Sequence, residues 1–205
     1  MSARSIQRLL VAVAALATLV LSGCGSSAPT RLYVLSPSVA QPASMSANGI
    51  AVGVGPITLP KYLDRPQMVT QTSANQLTEA NLDQWGGDLN DNVTRVLAAN
   101  LSNILGTERV SLYPWKDRVP MDYQVTMDVA KFESGADGSA ELDVFWSIVN
   151  PADGSVLEMR RSSYRSSAAP AGGPVSYDAS AAAMSRDLGL LSQDVAKTIL
   201  ALKGG

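Results

Sequence analysis

The chain has 205 residues, with 16 basic and 18 acidic side chains, no histidine and one cysteine. The lack of histidine excludes Ser-His-Asp and Cys-His nucleophile pairs and imidazole metal ligands, and a single cysteine excludes an internal disulfide or a CxxC motif. A net charge of −2 argues against nucleic acid as a partner, because phosphate binding needs a basic surface. The 46% hydrophobic content indicates a globular chain.

Residues 1–23 are predicted to be a cleaved signal peptide. Arg4 and Arg8 precede a 13-residue apolar run, 9–21, which fits the core of a signal peptide and is too short to span a bilayer. The run leads into Leu-Ser-Gly-Cys at 21–24, which resembles the lipobox of bacterial lipoprotein precursors. The resemblance implies fatty acyl chains, such as palmitate, on Cys24, and two or three chains would hold the protein to a membrane almost irreversibly. The alternative is an ordinary signal peptide with a chance or structural cysteine.

The mature chain is expected to depend on lipid alone for its attachment. From Cys24 onward it has 14 basic and 18 acidic residues, so it has no polybasic second anchor. Gly25 follows the cysteine where an aspartate would retain the protein at the inner membrane, and by resemblance to enteric sorting rules this indicates the outer membrane. Residues 24–30 are predicted to be the lipidated N-terminus and a flexible tether, and 31–205 a single domain.

The first half of this domain begins with strands. Short apolar runs predict strands at 31–35 and 50–57, and Gly53 and Gly55 in the second indicate a bulge or a close backbone approach. Residues 67–72 and 76–79 predict a hairpin in which Asn75 could take a left-handed conformation.

A helix follows, with Asp88 as its N-cap, Asp91 in its first turn and Gly106 at its end. Its polar side has one arginine and no lysine, which favours burial of the apolar stripe in a core over binding to a membrane surface. Asn92, Arg95, Asn100 and Asn103 are predicted to occupy the remaining surface. The apolar residues recur at three- and four-residue steps: Leu89, Val93, Val96, Leu97, Leu101, Ile104 and Leu105.

The second half predicts more strands and a final helix. Apolar and polar residues alternate along 123–130 and 141–148, and short Gly-containing turns separate these runs from a further strand at 156–164. A long apolar stripe from Tyr177 to Leu202 predicts a helix ending at Gly204, in which Gly189 costs about 1 kcal/mol. The predicted fold is therefore α+β, an antiparallel twisted sheet with two main helices packed on it.

No pattern of catalytic residues stands out. The acidic pair Asp88 and Asp91 suits a helix start, and Glu141 and Asp143 fall on the predicted solvated face of a strand. The Val-Gly-Val-Gly run at 52–55 lacks the spacing of a phosphate-binding loop, and the aspartates lack the spacing of a calcium loop. No enzymatic activity, metal or cofactor is expected beyond acyl chains on Cys24.

Residues 59–69, LPKYLDRPQMV, carry a specific resemblance to the ABC-type transport auxiliary lipoproteins, also called the PqiC family. We call these residues the signature segment. The resemblance extends over most of the mature chain, including Arg-Leu-Tyr-Val-Leu at 31–35, 54–58, Trp85, 92–97, Asn100-Leu101, Tyr-Pro-Trp at 113–115, Phe132-Glu133 and Trp146.

The resemblance implies an outer-membrane lipoprotein facing the periplasm that serves an MCE-domain system moving lipid between the two membranes. Its expected role is to dock the MCE protein at the outer membrane and so support envelope integrity, and self-assembly into a homo-oligomer is left open. The alternative is a lipoprotein that binds lipid or a small molecule on its own. The family has no established catalytic residues, so the resemblance implies none.

Tyr62, Leu63, Asp64 and Arg65 are the candidate partner interface. They lie between Pro60 and Pro66, which stiffen the segment, and an aromatic residue beside an aliphatic one suits an interface. Asp64 and Arg65 could orient a partner by charge. The alternative is that Tyr62 and Leu63 fold back and close the edge of the core.

Overall fold

The computed structural model describes residues 28–39, 49–115, 119–167 and 176–204. Contacts gather Arg31–Gly205 into one compact unit. The signal peptide and Cys24 lie outside the described residues, so the predicted boundaries remain predictions.

The elements in chain order are strands β1 (Arg31–Tyr33), β2 (Val52–Thr58), β3 (Gln67–Ser73) and β4 (Gln76–Trp85), helix α1 (Leu89–Leu105), strands β5 (Val110–Leu112), β6 (Tyr123–Gly135), β7 (Ser139–Val149) and β8 (Val156–Ser167), and helix α2 (Tyr177–Gly204).

The α+β class is confirmed, but the sheet is mixed rather than wholly antiparallel. Strands β6, β7 and β8 form the predicted antiparallel meander, and β3 and β4 form the predicted hairpin. Parallel pairs join β2 to β5 and β6, β3 to the end of β6, and β1 to β4. Parallel pairing requires a long connection, and α1 lies in the chain between β2 and its partners β5 and β6. Alternation within one strand contains no information about such distant pairing.

One core lies between the two helices and the face of the sheet formed by alternate residues of β6 and β7. Val125, Leu142, Val144 and Trp146 on these strands are at most 1% exposed. All seven residues of the predicted α1 stripe are buried. Burial of this stripe, at roughly 1.5–3 kcal/mol for each large aliphatic side chain, holds α1 against the sheet.

The predicted start and end of α1 are confirmed. The Asp88 carboxylate accepts a hydrogen bond from the backbone N–H of Asp91, at 3.0 Å, and so satisfies one of the free donors at the helix start. Gly106 ends the helix with φ of 61°, a left-handed conformation that glycine adopts without steric cost. Asn75 does not adopt this conformation, because positive φ among the described residues occurs only at glycines.

The polar side of α1 differs from the prediction. Asn92 and Asn100 are buried rather than solvated. Asn100 accepts a hydrogen bond from the Ser38 N–H, at 3.2 Å, and Asn103 donates to the Val39 carbonyl, also at 3.2 Å. The chain after β1 therefore covers this side of the helix, and the asparagines satisfy its backbone groups.

Gly189 on α2 has a packing role that offsets its low helix propensity. A Cβ atom there would collide with the Ser38 hydroxyl and come within 3.1 Å of Val39 Cγ2. The glycine lets the segment after β1 approach α2, where the Ser38 hydroxyl donates to the Ser185 carbonyl at 2.9 Å. Both features predicted as alternatives for the glycines of β2 occur. A Cβ at Gly53 would collide with the Met121 side chain, and the pairing of β2 with β6 shifts register between Val54 and Ile57.

Within the part of the chain that the structure describes, neither helix has the length and apolar character needed to cross a membrane.

Candidate functional site: a groove beside the signature segment

An open groove of about 620 Å³ lies between the signature segment and the start of α1. We call it the signature groove. The segment forms one wall, the end of β2 the floor, and the turn into α1 the opposite wall. Its lining residues are Ile57, Thr58, Leu59, Lys61, Leu63, Asp64, Arg65, Pro66, Gly87, Asp88, Leu89 and Asn90.

The signature segment is held in a tight turn by its own backbone. Lys61–Leu63 form a short 3-10 helix in which the Leu63 N–H donates to the Pro60 carbonyl at 2.9 Å and the Asp64 N–H donates to the Lys61 carbonyl at 3.1 Å. The Pro66 carbonyl then accepts from the Trp85 N–H at 2.7 Å. Proline at each end reduces the freedom of the unfolded segment, so this shape forms at a low entropic cost.

Tyr62 attaches the segment to the sheet. Its hydroxyl donates to the Glu133 carboxylate on β6, at 2.7 Å, and the same carboxylate accepts from the Phe132 N–H at 3.2 Å. Glu133 is only 3% exposed. Burial, and then the hydrogen bond to Glu133, raises the pKa of Tyr62, so the ring remains a neutral hydrogen-bond donor at physiological pH.

The four candidate interface residues therefore occupy different environments. Leu63 is 4% exposed and belongs to the core, and Tyr62 is half-buried against β6, which is the geometry of the alternative in which both close the core edge. Arg65 pairs with Glu79 on β4 instead of Asp64. Asp64 is exposed at the groove. Whether these residues bind a partner stays a prediction.

The sequence analysis predicted the start of α1 but did not identify it as a wall of a site. Asn90, two residues after the N-cap of α1, donates from its side-chain amide to the Ile57 carbonyl at the end of β2, at 2.7 Å. This hydrogen bond fixes the start of the helix beside the signature segment. A polar residue such as Asn90 is common in the first turn of a helix. No local sequence pattern indicates that its side chain binds a strand 33 residues earlier.

Charges around the groove are of both signs. Lys61 and Asp64 are exposed on the segment side, and Asp88 lies at the helix start. Such a rim suits recognition of a partner with alternating charges rather than a strongly anionic ligand. Among the described residues, no cluster of acidic or sulfur side chains has the arrangement of a metal site.

The predicted structural roles of the two acidic pairs agree with the geometry. Asp88 caps α1, as described above. On the outer face of the sheet, Glu141 pairs with Lys131 at 2.6 Å and Asp143 with Arg161 at 2.6 Å. These are contacts between neighbouring strands.

The chain belongs to the family of ABC-type transport auxiliary lipoprotein components, which it matches over residues 33–196. All the residues that line the signature groove fall within the matched range. The family match confirms the resemblance described above. The family assigns the chain to lipoproteins that are auxiliary components of ABC-type transport.

Solved structures show the same fold. An uncharacterized protein with 20% identity aligns with a TM-score of 0.66 over 84% of this chain and 99% of its own. A Xanthomonas campestris protein of the DUF330 family, 16% identical, aligns with a TM-score of 0.65 over 81% of this chain and 92% of its own. At these identities the likeness extends to the fold alone. No match was found among curated protein sequences.

Proposed function

We propose that this protein is a lipid-anchored, periplasm-facing accessory subunit of an MCE-type lipid transport system, which it docks at the outer membrane without catalysing a reaction. The observation that supports this proposal is the position of the signature segment. The residues most specific to this transport-auxiliary family form a wall of an open groove that is held rigidly from both sides.

The architecture of the groove suits docking. Tyr62 and Asn90 are used to fix its two walls, and Leu63 is used in the core. The groups left for a partner are the exposed Lys61 and Asp64 and the half-buried Leu59. A preorganised wall costs little entropy on binding, so an extended segment of an MCE protein could bind there through charge pairing at the rim and apolar contact at Leu59.

The docking proposal is tested by reversing the two exposed charges. Lys61→Glu with Asp64→Lys should reduce capture of the MCE protein from crosslinked envelopes by at least about tenfold. Reversing charges at the rim of an interface slows association and disfavours the correct alignment of the two proteins. The thermal transition should change little, since both side chains are exposed. Capture is measured by affinity purification and mass spectrometry.

Glu108→Lys is the matched control for this test. Glu108 is exposed beyond the other end of α1, roughly 25 Å from the groove for a 17-residue helix. Its reversal should leave capture unchanged. Unaltered capture by the double groove variant would contradict docking at this groove, and lipid co-purifying with a monomer that captures no partner would favour the stand-alone lipid-binding function.

The anchor has its own test. Cys24→Ala should abolish fatty-acid labelling and leave an unprocessed precursor, because the thiol that receives the lipid is lost and cleavage depends on that lipid. Ser27→Ala, three residues along the tether, should be labelled and cleaved normally. Labelling is measured with radioactive palmitate and cleavage by mass spectrometry. Full labelling of the Cys24 variant would rule out lipid at this residue.

A further inference from the structure

Two large aliphatic side chains, one on β1 and one on the residue that follows it, are exposed next to each other. Leu32 is 66% exposed and Val34 is 56% exposed. They alternate with Arg31 and Tyr33, whose side chains both turn to Asp83 and hydrogen-bond to it at 2.8 and 2.7 Å. Since neighbouring residues of a strand point to opposite faces, Leu32 and Val34 are directed away from this buried carboxylate.

Gly86 lies beside both of these side chains. A Cβ atom at Gly86 would lie 3.1 Å from Val34 Cγ1 and 3.9 Å from Leu32 Cβ. The backbone at Gly86 is bound to β1 by a hydrogen bond from its N–H to the Tyr33 carbonyl, at 2.7 Å. We call Leu32, Val34 and Gly86 the β1 patch. Gly87, the next residue, lines the signature groove, so the patch and the groove are neighbours.

The patch continues into a shallow groove of about 450 Å³ between β1 and α2. The exposed residues Pro37 and Ala182 extend the apolar surface there. The charged groups beside it are Asp178 and Arg186, one of each sign, and Arg31 is paired with Asp83. The lining of this groove therefore has no excess of negative charge that would repel an anionic bilayer.

The length of the tether limits what can cover the patch. Leu32 is the eighth residue after Cys24. A fully extended chain of that length spans at most about 27 Å, and a flexible one averages about 16 Å. If Cys24 carries acyl chains, as the proposed function holds, Leu32 must remain close to the headgroups in which those chains are anchored. Two exposed aliphatic side chains at that distance are more easily covered by the bilayer interface than by a protein.

We propose that the β1 patch contacts the lipid surface and fixes the orientation of the domain on the membrane. The inference depends on the lipid anchor of the proposed function. The anchor alone restricts distance and leaves rotation free, whereas a second contact through Leu32 and Val34 holds the β1 edge of the sheet toward the headgroups. The adjacent signature groove then opens at a constant height above the bilayer.

The test places a tryptophan in the patch of the acylated protein. Leu32→Trp is compared with Met159→Trp, a matched control on β8 at a site that is 67% exposed. Each protein is purified from envelopes and reconstituted in vesicles of phosphatidylethanolamine and phosphatidylglycerol, with ordinary or bromine-substituted acyl chains. The emission of the parent protein is subtracted. The emission added by Leu32→Trp should be mostly lost in the brominated vesicles, whereas that added by Met159→Trp should not.

The outcomes separate the inference from the anchor on which it depends. If the protein floats with the vesicles but the emission of the Leu32→Trp variant is not quenched, the membrane contact is overturned and the lipid anchor is retained. A blue shift at position 32 without quenching would mean that protein covers the patch, for example a second copy of this chain, and would also overturn it. A protein that carries no acyl chain by mass spectrometry and does not float would overturn the anchor and the inference together.

Discussion

Leu97→Asp should destabilise the domain by about 4 kcal/mol or more. Leu97 has no exposed surface and lies at the centre of the α1 stripe. The substitution removes the burial of the leucine and leaves a carboxylate in the core without a partner. For a protein of marginal stability, a loss of this size populates the unfolded state at 37 °C. Urea denaturation followed by circular dichroism would measure it.

Arg95→Asp is the matched control on the same helix. Arg95 is exposed, two residues earlier, and the change introduces the same side chain. The free energy of unfolding should change by no more than about 1 kcal/mol, since surface substitutions away from special contacts have small effects. Equal urea midpoints for the two variants would mean that the side of α1 facing the core has been assigned wrongly.

The helices and the meander were predictable because their signals are local. Leu97 and its stripe follow the helical repeat, and Asp88 and Gly106 mark the two ends through backbone groups within a few residues. The β6–β8 meander was equally visible, because alternation and short turns leave one arrangement for neighbouring strands.

The parallel pairs were not predictable, because they join distant parts of the chain. The pairing of Thr70 with Ser134 connects β3 to the end of β6, and that of Leu32 with Gln84 connects β1 to β4. Burial of Asn100 depends in the same way on a segment 62 residues earlier. From the sequence alone, an asparagine on a helix is assigned to the solvated side, because the distant segment that binds its amide cannot be identified.

Only part of the candidate site was predictable, because one of its contacts also joins distant parts of the chain. The two prolines and the resemblance located the signature segment, but the partner of Tyr62 is Glu133, 71 residues away. Without that contact, an aromatic residue between prolines is equally compatible with an exposed interface and with a core edge. The exposed residues of this short turn are Lys61 and Asp64, which lie on either side of Tyr62 and the buried Leu63.

Asp187 on α2 should make the stability of the domain depend on pH in the acidic range. It is fully buried, and no donor among the described residues has hydrogen-bond geometry to either carboxylate oxygen. Burial raises the pKa of Asp187 to about 6, with a smaller contribution from Glu141, while Ser166 and Arg186 act in the opposite direction. The neutral form is therefore favoured in the folded state.

The direction of the pH dependence follows from proton uptake. Between pH of about 4, where the unfolded carboxyl titrates, and about 6, the folded chain binds the additional proton. The stability associated with that proton is fully present below this range and is lost as the pH rises through 6. A shift of about two units corresponds to at most about 3 kcal/mol.

Asp187→Asn should therefore be more stable than the parent protein at pH 8 and lose that advantage by pH 4. The amide has nearly the same shape but cannot ionise, so it avoids the cost of a buried charge. Thermal denaturation across this pH range measures the difference. Asp178→Asn makes the same change at an exposed position on α2. Its stability should differ little from that of the parent protein at pH 8 and at pH 4. If the Asp187 variant were less stable than the parent at pH 8, the ionised carboxylate would have to be stabilised by a partner, and burial could not be the dominant influence on it.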